Sequence, residues 1–300
     1  MKGLSLFDLP SLLIVGAKGQ LGYEVEALAR EEGFSVTALD RKSLDILDPQ
    51  AVEKSLAEFR PDFVINAAAV INPAEQDPPA FAANTRGAAI LAESCHKYGV
   101  ALVHVSCAEV FGDEADQLLR QETDKAVPVS PYGKSKLRGE ELVRAALTRH
   151  LIIRTGWLFS ARGDSFVREL LEQARQQRCF QVADGLMGVP TSAADLARVI
   201  LAVIKQLDSG ADSWGTYHYC AAEALSWAGF AEAIVAAARQ YEELCLEELQ
   251  TCPQQQLPGR TLPANTQLDC SLIMDTFGVH QRTWRTGLMQ VIQGYYSWTP

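Results

Sequence analysis

Leu12-Leu-Ile-Val-Gly16-Ala-Lys-Gly19-Gln-Leu-Gly22 is the stretch that decides the fold of this chain. Its apolar start predicts a short buried strand, and the periodicity from Gln20 to Glu32 predicts a helix directly after the turn. Glycines at positions i, i+3 and i+6 allow a tight bend, close approach of a pyrophosphate to the backbone, and close helix packing. The stretch therefore predicts the first strand-turn-helix unit of a dinucleotide-binding sheet.

The same alternation of strand and helix continues to about residue 156. Apolar runs predict further strands at 34–40, 63–66, 100–106 and 151–154, with helical patterns between them. Because these runs are continuously apolar, they predict a parallel sheet with helices on both faces. Beyond Gly156 the rhythm loosens, with helices expected at 164–177, 194–207 and 226–241 and turns at 184–191.

We expect an α/β fold of the Rossmann type, a doubly wound parallel sheet with a smaller C-terminal substrate-binding lobe. The NAD(P)-binding domain is expected to span residues 1–156 and to be rejoined by about 189–212. Residues 157–300 are expected to form mainly the substrate-binding lobe.

Composition narrows the class of function. The 300 residues carry a formal net charge of -10, which argues against nucleic acid or an anionic membrane as a partner. The seven cysteines are scattered, without a C-x-x-C pair or metal-ligand spacing, which is typical of reduced thiols in a cytosol. Neither a signal peptide nor a run of roughly 20 apolar residues is present in the sequence. We expect a soluble cytoplasmic protein without a metal site.

Asp40 ends the second predicted strand, where a carboxylate can accept hydrogen bonds from the adenosine ribose of NADH. Arg41 beside it is either placed to meet the 2′-phosphate of NADPH or an ordinary solvated charge. The pair leaves NADH and NADPH both open as cofactors. Asn66-Ala-Ala-Ala69 ends the third strand with small side chains, which suit a backbone lying against a cofactor or close helix packing. The predicted cofactor-binding residues are Gly16, Gly19, Gln20, Leu21, Gly22, Asp40, Arg41, Asp45, Asn66, Ala67, Ala68, Tyr132 and Lys136.

Tyr132-Gly-Lys-Ser-Lys136 follows Ser130 and Pro131, which predict the N-cap and the first residue of a helix. A tyrosine and a lysine four residues apart share one helix face. An ammonium near the phenol favours the phenolate and lowers a tyrosine pKa that is normally about 10. Tyr132 is therefore a candidate proton donor and acceptor, although the spacing alone is common on surface helices.

GxxGxxG, Asn-Ala-Ala-Ala and YxxxK in this order resemble the extended short-chain dehydrogenase/reductase family. Longer stretches resemble the dTDP-4-dehydrorhamnose reductase branch, and the similarity covers nearly the whole chain in the right order. These stretches are 38–49, 61–69, 154–159, 188–197, 215–219 and 265–269.

The resemblance implies hydride transfer from NADPH or NADH to C4 of a 4-keto sugar nucleotide, the last step of dTDP-L-rhamnose synthesis. In that reaction Tyr132 would protonate the developing alkoxide, and Lys136 would hold the nicotinamide ribose. Trp157 would line the sugar pocket, unless it only packs in the core. Pro190 and Thr191 would lie on a loop that closes over cofactor and sugar. A homodimer is compatible with the resemblance.

The end of the fourth strand departs from the family pattern. It reads Ser106-Cys107-Ala108-Glu109-Val110-Phe111, where the family usually has Ser-Thr-Asp-Tyr-Val-Phe and the threonine hydrogen-bonds the reacting oxygen. Cys107 stands at that threonine, and a thiol is a weaker donor than a hydroxyl. Losing such a donor typically costs about 3 kcal/mol, or about a hundredfold in rate. Ser106 can contribute instead if the strand end twists.

The predicted catalytic residues are Tyr132, Lys136 and Cys107. The predicted substrate-binding residues are Ser106, Glu109, Trp157, Pro190 and Thr191. Two more departures concern the substrate: segment 70–78 is about two residues shorter than the family pattern, and Leu262 replaces a common arginine. Arg260 can replace that cation only if the loop shifts.

Two other functions stay open. The altered Cys107-Ala108-Glu109 triplet is compatible with a nucleotide-binding regulatory or scaffold protein that has lost turnover. The regulatory beta subunit of methionine adenosyltransferase resembles residues 265–270 and 278–283 and keeps this idea open. Glu109 also resembles the base of sugar-nucleotide dehydratases, and an epimerase is a related alternative. Those enzymes carry an acid just before that base, however, so a carboxylate at the pocket rim is the simpler interpretation.

Overall fold

Six parallel strands form the central sheet of the computed structural model, which describes residues 9–71, 82–113, 119–163, 165–257 and 262–298. They are β1 Ser11–Val15, β2 Ser35–Leu39, β3 Phe63–Asn66, β4 Ala101–Cys107, β5 His150–Thr155 and β10 Gly215–His218. The five strands predicted in the first half are confirmed, with ends that shift by one residue at most. The doubly wound α/β class is confirmed with them.

The strand order is β10-β5-β4-β3-β1-β2. The chain therefore leaves β1 toward β2 on one side and returns to β3 on the other. Such a reversal opens a crevice at the carboxyl ends of β1 and β3, where ligands of α/β sheets bind. The glycine-rich turn follows β1 and the alanines follow β3, so both predicted cofactor segments meet at this crevice.

Helices cover both faces of the sheet, because successive residues of each strand point to opposite sides. Leu12 and Ile14 pack toward α1 Gln20–Glu31 and α6 Ala193–Asp208, while Leu13 and Val15 pack on the other side. That second side holds α2 Pro49–Phe59, α3 Ala88–Tyr98 and α4 Pro131–Ala146. One turn of π-helix, Ala83–Gly87, leads directly into α3.

The elements after β5 other than α6 and β10 form short pairs of strands with helices against them. The strand pairs are β6 Trp157–Phe159 with β9 Pro190–Ser192, β7 Cys179–Ala183 with β12 Glu248–Cys252, and β8 Met187–Gly188 with β11 Leu225–Ser226. The helices are α5 Phe166–Ala174, α7 Trp227–Ala238, α8 Ser271–Phe277 and α9 Trp284–Trp298. Within the part of the chain described, no helix has the length and apolarity needed to cross a bilayer.

The sequence missed several of these elements. Segment 184–191 was expected to be turns, yet it contains β8 and the start of β9, and β12, α8 and α9 were not predicted. Strands of two or three residues are too short to show a period. The expected shortening at 70–78, the start of the helix expected at 164–177, and Arg260 lie wholly or partly outside the described residues. The division into two lobes stays a prediction.

A buried histidine ends β10 within an unusually polar part of the interior. The Nδ1 atom of His218 lies 3.0 Å from the carbonyl oxygen of Arg120, and its Nε2 atom lies 3.3 Å from Nη1 of Arg154. Because a carbonyl only accepts and a guanidinium only donates, the ring is the neutral tautomer with its proton on Nδ1. Burial, reinforced by the charge of Arg154, lowers the pKa of His218 to about 4.

We expect the free energy of unfolding to fall as pH drops from about 6.5 toward 4. The unfolded chain takes up a proton at His218 with the ordinary pKa of about 6.5, but the folded protein does so only near its pKa of about 4. The contribution of His218 to the free energy of unfolding is therefore complete above pH 6.5. It decreases by about 3 kcal/mol as the pH falls from 6.5 to 4. Guanidinium unfolding across this range measures it.

His218→Gln removes one of three buried histidines whose pKa is lowered, so it should make this pH dependence shallower, even if the variant is less stable throughout. His280→Gln, at an exposed histidine, should follow the wild-type curve. A His218→Gln curve as steep as that of the wild type would contradict the assignment.

Candidate active site

The glycine-rich turn is held in a conformation that side chains would prevent. Gly16 has a φ of +83°, and a Cβ atom there would lie 2.7 Å from the backbone nitrogen of Ala68. A Cβ atom on Gly22 would overlap the carbonyl oxygen of Gly16. The amide of Gly19 donates to that same carbonyl at 3.0 Å. The first and third glycines thus bring β1, β3 and the start of α1 into direct backbone contact, which leaves the turn open to a ligand.

A cleft of about 320 Å³ opens at this turn, in the crevice between β1 and β3. It brings together many of the residues predicted to bind the cofactor, which are Gly16, Gly19, Asp40, Arg41, Asp45, Ala67 and Ala68. Gln20, Leu21 and Gly22 form the first turn of α1 beside it. Asn66 lies buried below, where its Nδ2 atom donates to Nδ1 of His104 at 3.1 Å and its Oδ1 atom accepts from the amide of Ala68 at 3.2 Å.

The cleft also contains residues that sequence reasoning missed. They are Lys18, Leu44, Ile46, Leu47, Val70 and Ala83. Leu44, Ile46 and Leu47 lie in the loop that follows β2, which is otherwise polar, and Leu44 and Ile46 are buried. Three apolar side chains in a short polar loop are a usable signal, since they can form an apolar wall for a flat ring. Lys18 could have been noted from its place between two glycines of the turn.

Asp40 is engaged by its own surroundings. Its Oδ1 atom accepts from the amides of Lys42 and Ser43, each at 3.0 Å, and from the hydroxyl of Ser43 at 2.8 Å. Its Oδ2 atom forms an ion pair with Lys18. The contact with Lys18, followed by those with Ser43, holds the pKa of Asp40 below its ordinary value. A ribose hydroxyl would therefore compete for a carboxylate that the protein already uses.

Helix α4 begins as predicted, with Ser130 as its N-cap next to the end of β4. The hydroxyl of Ser130 accepts from the amide of Gly133 at 2.9 Å and donates to Oε2 of Glu109 at 3.0 Å. A Cβ atom on Gly133 would overlap the carbonyl oxygen of Glu109. Only glycine allows the first turn of α4 to approach so closely, so this residue fixes the position of Tyr132 relative to the end of β4.

Lys136 lies almost fully inside the protein, with 1% of its surface exposed. Burial lowers its pKa, and the neighbouring Cys107 and Glu140 oppose that shift. Tyr132 lies one turn earlier on the same helix and is only half-buried. The predicted dyad thus consists of a buried cation and a phenol that reaches the surface of the site. Cys107, 8% exposed at the end of β4, lies close enough to Lys136 to feel its charge.

Ser106 and Cys107 differ in the side of the sheet that they face. Adjacent strand residues alternate, and Cys107 belongs to the apolar layer shared with α1 and α6. Ser106 is 2% exposed and faces the other layer, where its hydroxyl lies near the carboxylate of Glu140. The strand end therefore presents Cys107 and Ser106 in different directions, and Cys107 takes the place at the strand terminus.

Asn84 connects the cofactor cleft to helix α4, and sequence reasoning gave no sign of it. Its Oδ1 atom accepts from the amide of Val70, and its Nδ2 atom donates to the Val70 carbonyl and to the hydroxyl of Ser135, all at 2.9 Å. Ser135 in turn donates to the carbonyl of Tyr132 at 2.7 Å. Asn84 lies in the π-helical turn before α3, a local geometry that is frequent at functional sites.

The remaining residues predicted to bind the substrate lie in the paired strands β6 and β9 and are buried to different degrees. Trp157 is half-buried and meets Trp227 edge-on, with ring centroids 4.5 Å apart. Pro190 and Thr191 lie in β9, paired with Trp157 and Leu158, and both are buried. The hydroxyl of Thr191 accepts from the amide of Ala221 at 3.2 Å. Trp157 therefore keeps part of its ring accessible, whereas Thr191 is buried and ties β9 to the backbone of Ala221.

Comparison with known proteins identifies the family of this chain. The profile of the RmlD substrate binding domain matches residues 10–297. The dTDP-4-dehydrorhamnose reductase of Aggregatibacter actinomycetemcomitans is 34% identical over 289 residues, which are 93% of this chain and 97% of the relative. The crystal structure of the dTDP-4-dehydrorhamnose reductase of Clostridium acetobutylicum is 31% identical and covers 94% of this chain and 98% of its own, with a TM-score of 0.86.

The dTDP-4-dehydrorhamnose reductase of Bacillus anthracis, solved in complex with NADP, is 26% identical with a TM-score of 0.85. It covers 95% of this chain and 99% of its own. Similarity of this extent spans both the sheet and the elements that follow it. The chain belongs to the RmlD substrate binding domain family.

Proposed function

We propose that this protein reduces the C4 ketone of a sugar nucleotide with NADPH or NADH, converting dTDP-4-dehydro-L-rhamnose to dTDP-L-rhamnose. The observation that carries the proposal is the convergence of two features at one edge of the sheet. The glycine-lined cleft ends at Ala68 and Val70, and Asn84 ties that segment to the helix of Tyr132 and Lys136. Relatives over the full length named as this reductase support the same reaction.

The residues of the cleft fit a dinucleotide. The backbone of the glycine-rich turn is free of side chains where a pyrophosphate would approach the start of α1, and apolar Leu44 and Ile46 suit an adenine ring. A bound nicotinamide cofactor supplies the hydride. Lys136 then serves the nicotinamide ribose, and its buried ammonium stabilises negative charge on Tyr132, which donates its proton to the oxygen at C4.

Replacing Tyr132 with phenylalanine should abolish most turnover while leaving cofactor binding intact. A positioned general acid typically contributes between about 10² and 10⁴ in rate, so kcat should fall by at least a hundredfold. Loss of NADPH absorbance with dTDP-4-dehydro-L-rhamnose measures kcat, and quenching of protein fluorescence measures NADPH binding. Tyr98→Phe, at an exposed tyrosine on α3, is the matched control. Equal rates for Tyr132→Phe and the wild type would refute the assignment.

Cys107 takes the place of the hydroxyl donor to the substrate ketone in this proposal. It is buried at the end of β4 beside Lys136, and its thiol can donate only weakly to the developing oxyanion. The reaction should therefore be slower than with a hydroxyl at this position. The roles of Tyr132 and Lys136 do not depend on this donor.

Cys107→Thr should raise kcat by several-fold, and at most by about a hundredfold, because a hydroxyl is the better donor. Cys107→Ala should lower kcat relative to the wild type. Cys245→Thr, at an exposed cysteine, should change neither kcat nor KM. If kcat is the same for cysteine, threonine and alanine at position 107, the donor lies elsewhere.

The surroundings of Asp40 favour NADPH over NADH. Its carboxylate is already taken by Lys18 and Ser43, and the two positive charges of Lys18 and Arg41 balance the negative charges of Asp40 and Asp45 at this end of the cleft. A 2′-phosphate would share Lys18 with Asp40 and would also meet Arg41, whereas a 2′-hydroxyl would have to compete with Lys18 and Ser43 for Asp40.

Lys18→Ala should raise the KM for NADPH by about tenfold, the effect of about 1.4 kcal/mol, and should leave the KM for NADH within about twofold. Lys54→Ala, on the exposed side of α2 and away from the cleft, is the charge-matched control. Parallel changes in both KM values would show that Lys18 does not read the 2′ position.

A dehydratase or epimerase using Glu109 as its base is less well supported. Glu109 is 8% exposed and accepts a hydrogen bond from Ser130, so its carboxylate serves the start of α4. Incorporation of deuterium at the sugar C5 would favour this alternative.

A regulatory protein without turnover would bind NADPH tightly and leave the keto sugar unreduced. A homodimer and a cytoplasmic location also remain part of the proposal, and light scattering tests the first.

A further inference from the structure

Glu140 lies one helical turn after Lys136 and is fully buried. Its carboxylate is held by two arginines from two directions. Arg154, from β5, donates from Nε to Oε1 at 3.0 Å and from Nη2 to Oε2 at 2.8 Å. Arg144, one turn further along α4, donates to Oε2 at 3.1 Å. The carboxylate therefore has one fixed orientation in the space between α4 and the sheet.

Arg154 is itself fixed, which makes it a rigid support for Glu140. It is 3% exposed, and its guanidinium lies 5.0 Å from the centre of the Phe111 ring. Its Nη1 atom contacts Nε2 of His218 at 3.3 Å. The support thus consists of one strand-end arginine braced by an aromatic ring and a neutral imidazole.

The titratable and polar groups that interact with Lys136, Glu140 and their neighbours lie on several elements. Arg144 lies on α4, His104, Ser106 and Cys107 lie on β4, His150 and Arg154 lie on β5, His218 lies on β10, and Glu122 lies in the loop before α4. Burial lowers the pKa of each of these three histidines, so they are neutral at neutral pH. Burial raises the pKa of Glu122, whose carboxylate interacts with the charge of Arg154.

Glu140 stays ionised in this setting despite its burial. Burial alone would favour the protonated form, but the hydrogen bonds and charge of Arg154, with the charge of Arg144, lower the pKa of Glu140 overall. Of the described carboxylates, it is the one whose charge acts on Lys136 and favours the ammonium form. An ammonium without such a partner is costly inside a protein and tends to lose its proton.

We propose that Glu140 is a positioning residue for Lys136, and that Arg154 orients its carboxylate so that the lysine ammonium stays charged beneath Tyr132. The inference rests on the proposed roles of Tyr132 and Lys136. A purely structural role explains the pair less well, because apolar side chains of similar volume are often as stabilising as a buried ion pair. What an apolar replacement does not provide is a fixed negative charge one turn from the catalytic lysine.

The sign of the effect on catalysis follows from the charge alone. Ketone reduction needs a protonated Tyr132 and a charged Lys136. Tyr132 and Lys136 titrate as a coupled pair. Removing a nearby negative charge lowers the pH at which this pair loses its first proton, whether that proton leaves the phenol or the ammonium. The alkaline limb of the kcat profile should therefore move to lower pH when Glu140 is neutralised. Removing the positive charge of Arg144 should move the same limb to higher pH.

The experiment compares Glu140→Gln, Arg144→Gln and Glu141→Gln with the wild type. Glu141 is the next residue of α4 and pairs with Arg138 at 2.8 Å on the surface, so its substitution makes the same chemical change outside the network. The readouts are kcat and KM across the pH range with NADPH and dTDP-4-dehydro-L-rhamnose, with circular dichroism for folding. We expect Glu140→Gln to move the alkaline limb down by about one pH unit, and Glu141→Gln to leave it unmoved.

Arg144→Gln keeps the inference testable if Glu140→Gln does not fold, because Arg144 is about one-third exposed and its loss leaves Arg154 paired with Glu140. An upward shift of the limb in this variant supports the inference. A folded Glu140→Gln or Arg144→Gln protein with the wild-type limb would overturn it. An inactive wild type, or a Tyr132→Phe variant with full activity, would instead refute the proposed function.

Discussion

A lysine ammonium inside the protein is the constraint on which the rest of the site depends. Lys136 has almost no contact with solvent, yet its proposed task requires it to be charged. Desolvation opposes that charge, so compensation has to come from groups fixed nearby. Glu140 provides the opposite charge, and Arg154 keeps it in place. The polar side chains of β4, β5 and β10, unusual in a parallel sheet, follow from this requirement.

The same constraint explains why the histidines in this layer are neutral. Arg144 and Arg154 already bring two positive charges to the carboxylate of Glu140, and charged histidines would make the ammonium of Lys136 harder to keep. His104 receives a hydrogen bond on Nδ1 from Asn66, and His218 is placed against Arg154, so both rings are polar without being charged. They fill polar space near the dyad without adding to the positive charge. This interior is therefore sensitive to acid, although its working groups are a tyrosine and a lysine.

Much of the fold could be predicted because its signals are local. Continuous apolar strands, the glycine turn and the Ser130–Pro131 helix start are each set by neighbouring residues, and the structure has all of them. The contacts of Glu140, Asn84 and Lys18 could not be predicted in the same way. Glu140 and Arg154 are separated by 14 residues and meet only because α4 packs on β5. The ion pair between Asp40 and Lys18 likewise depends on how the turn after β1 meets the turn after β2 at the edge of the sheet.

Asn84 gives the site a mechanical property. One amide side chain grips both polar atoms of the Val70 backbone and, through Ser135, the first turn of α4. The wall of the cofactor cleft and the backbone of Tyr132 thus belong to one chain of hydrogen bonds. Asn84, at its centre, lies in the π-helical turn before α3. The backbone that would face a bound dinucleotide and the backbone that carries the proposed proton donor are therefore linked by hydrogen bonds through Asn84 and Ser135.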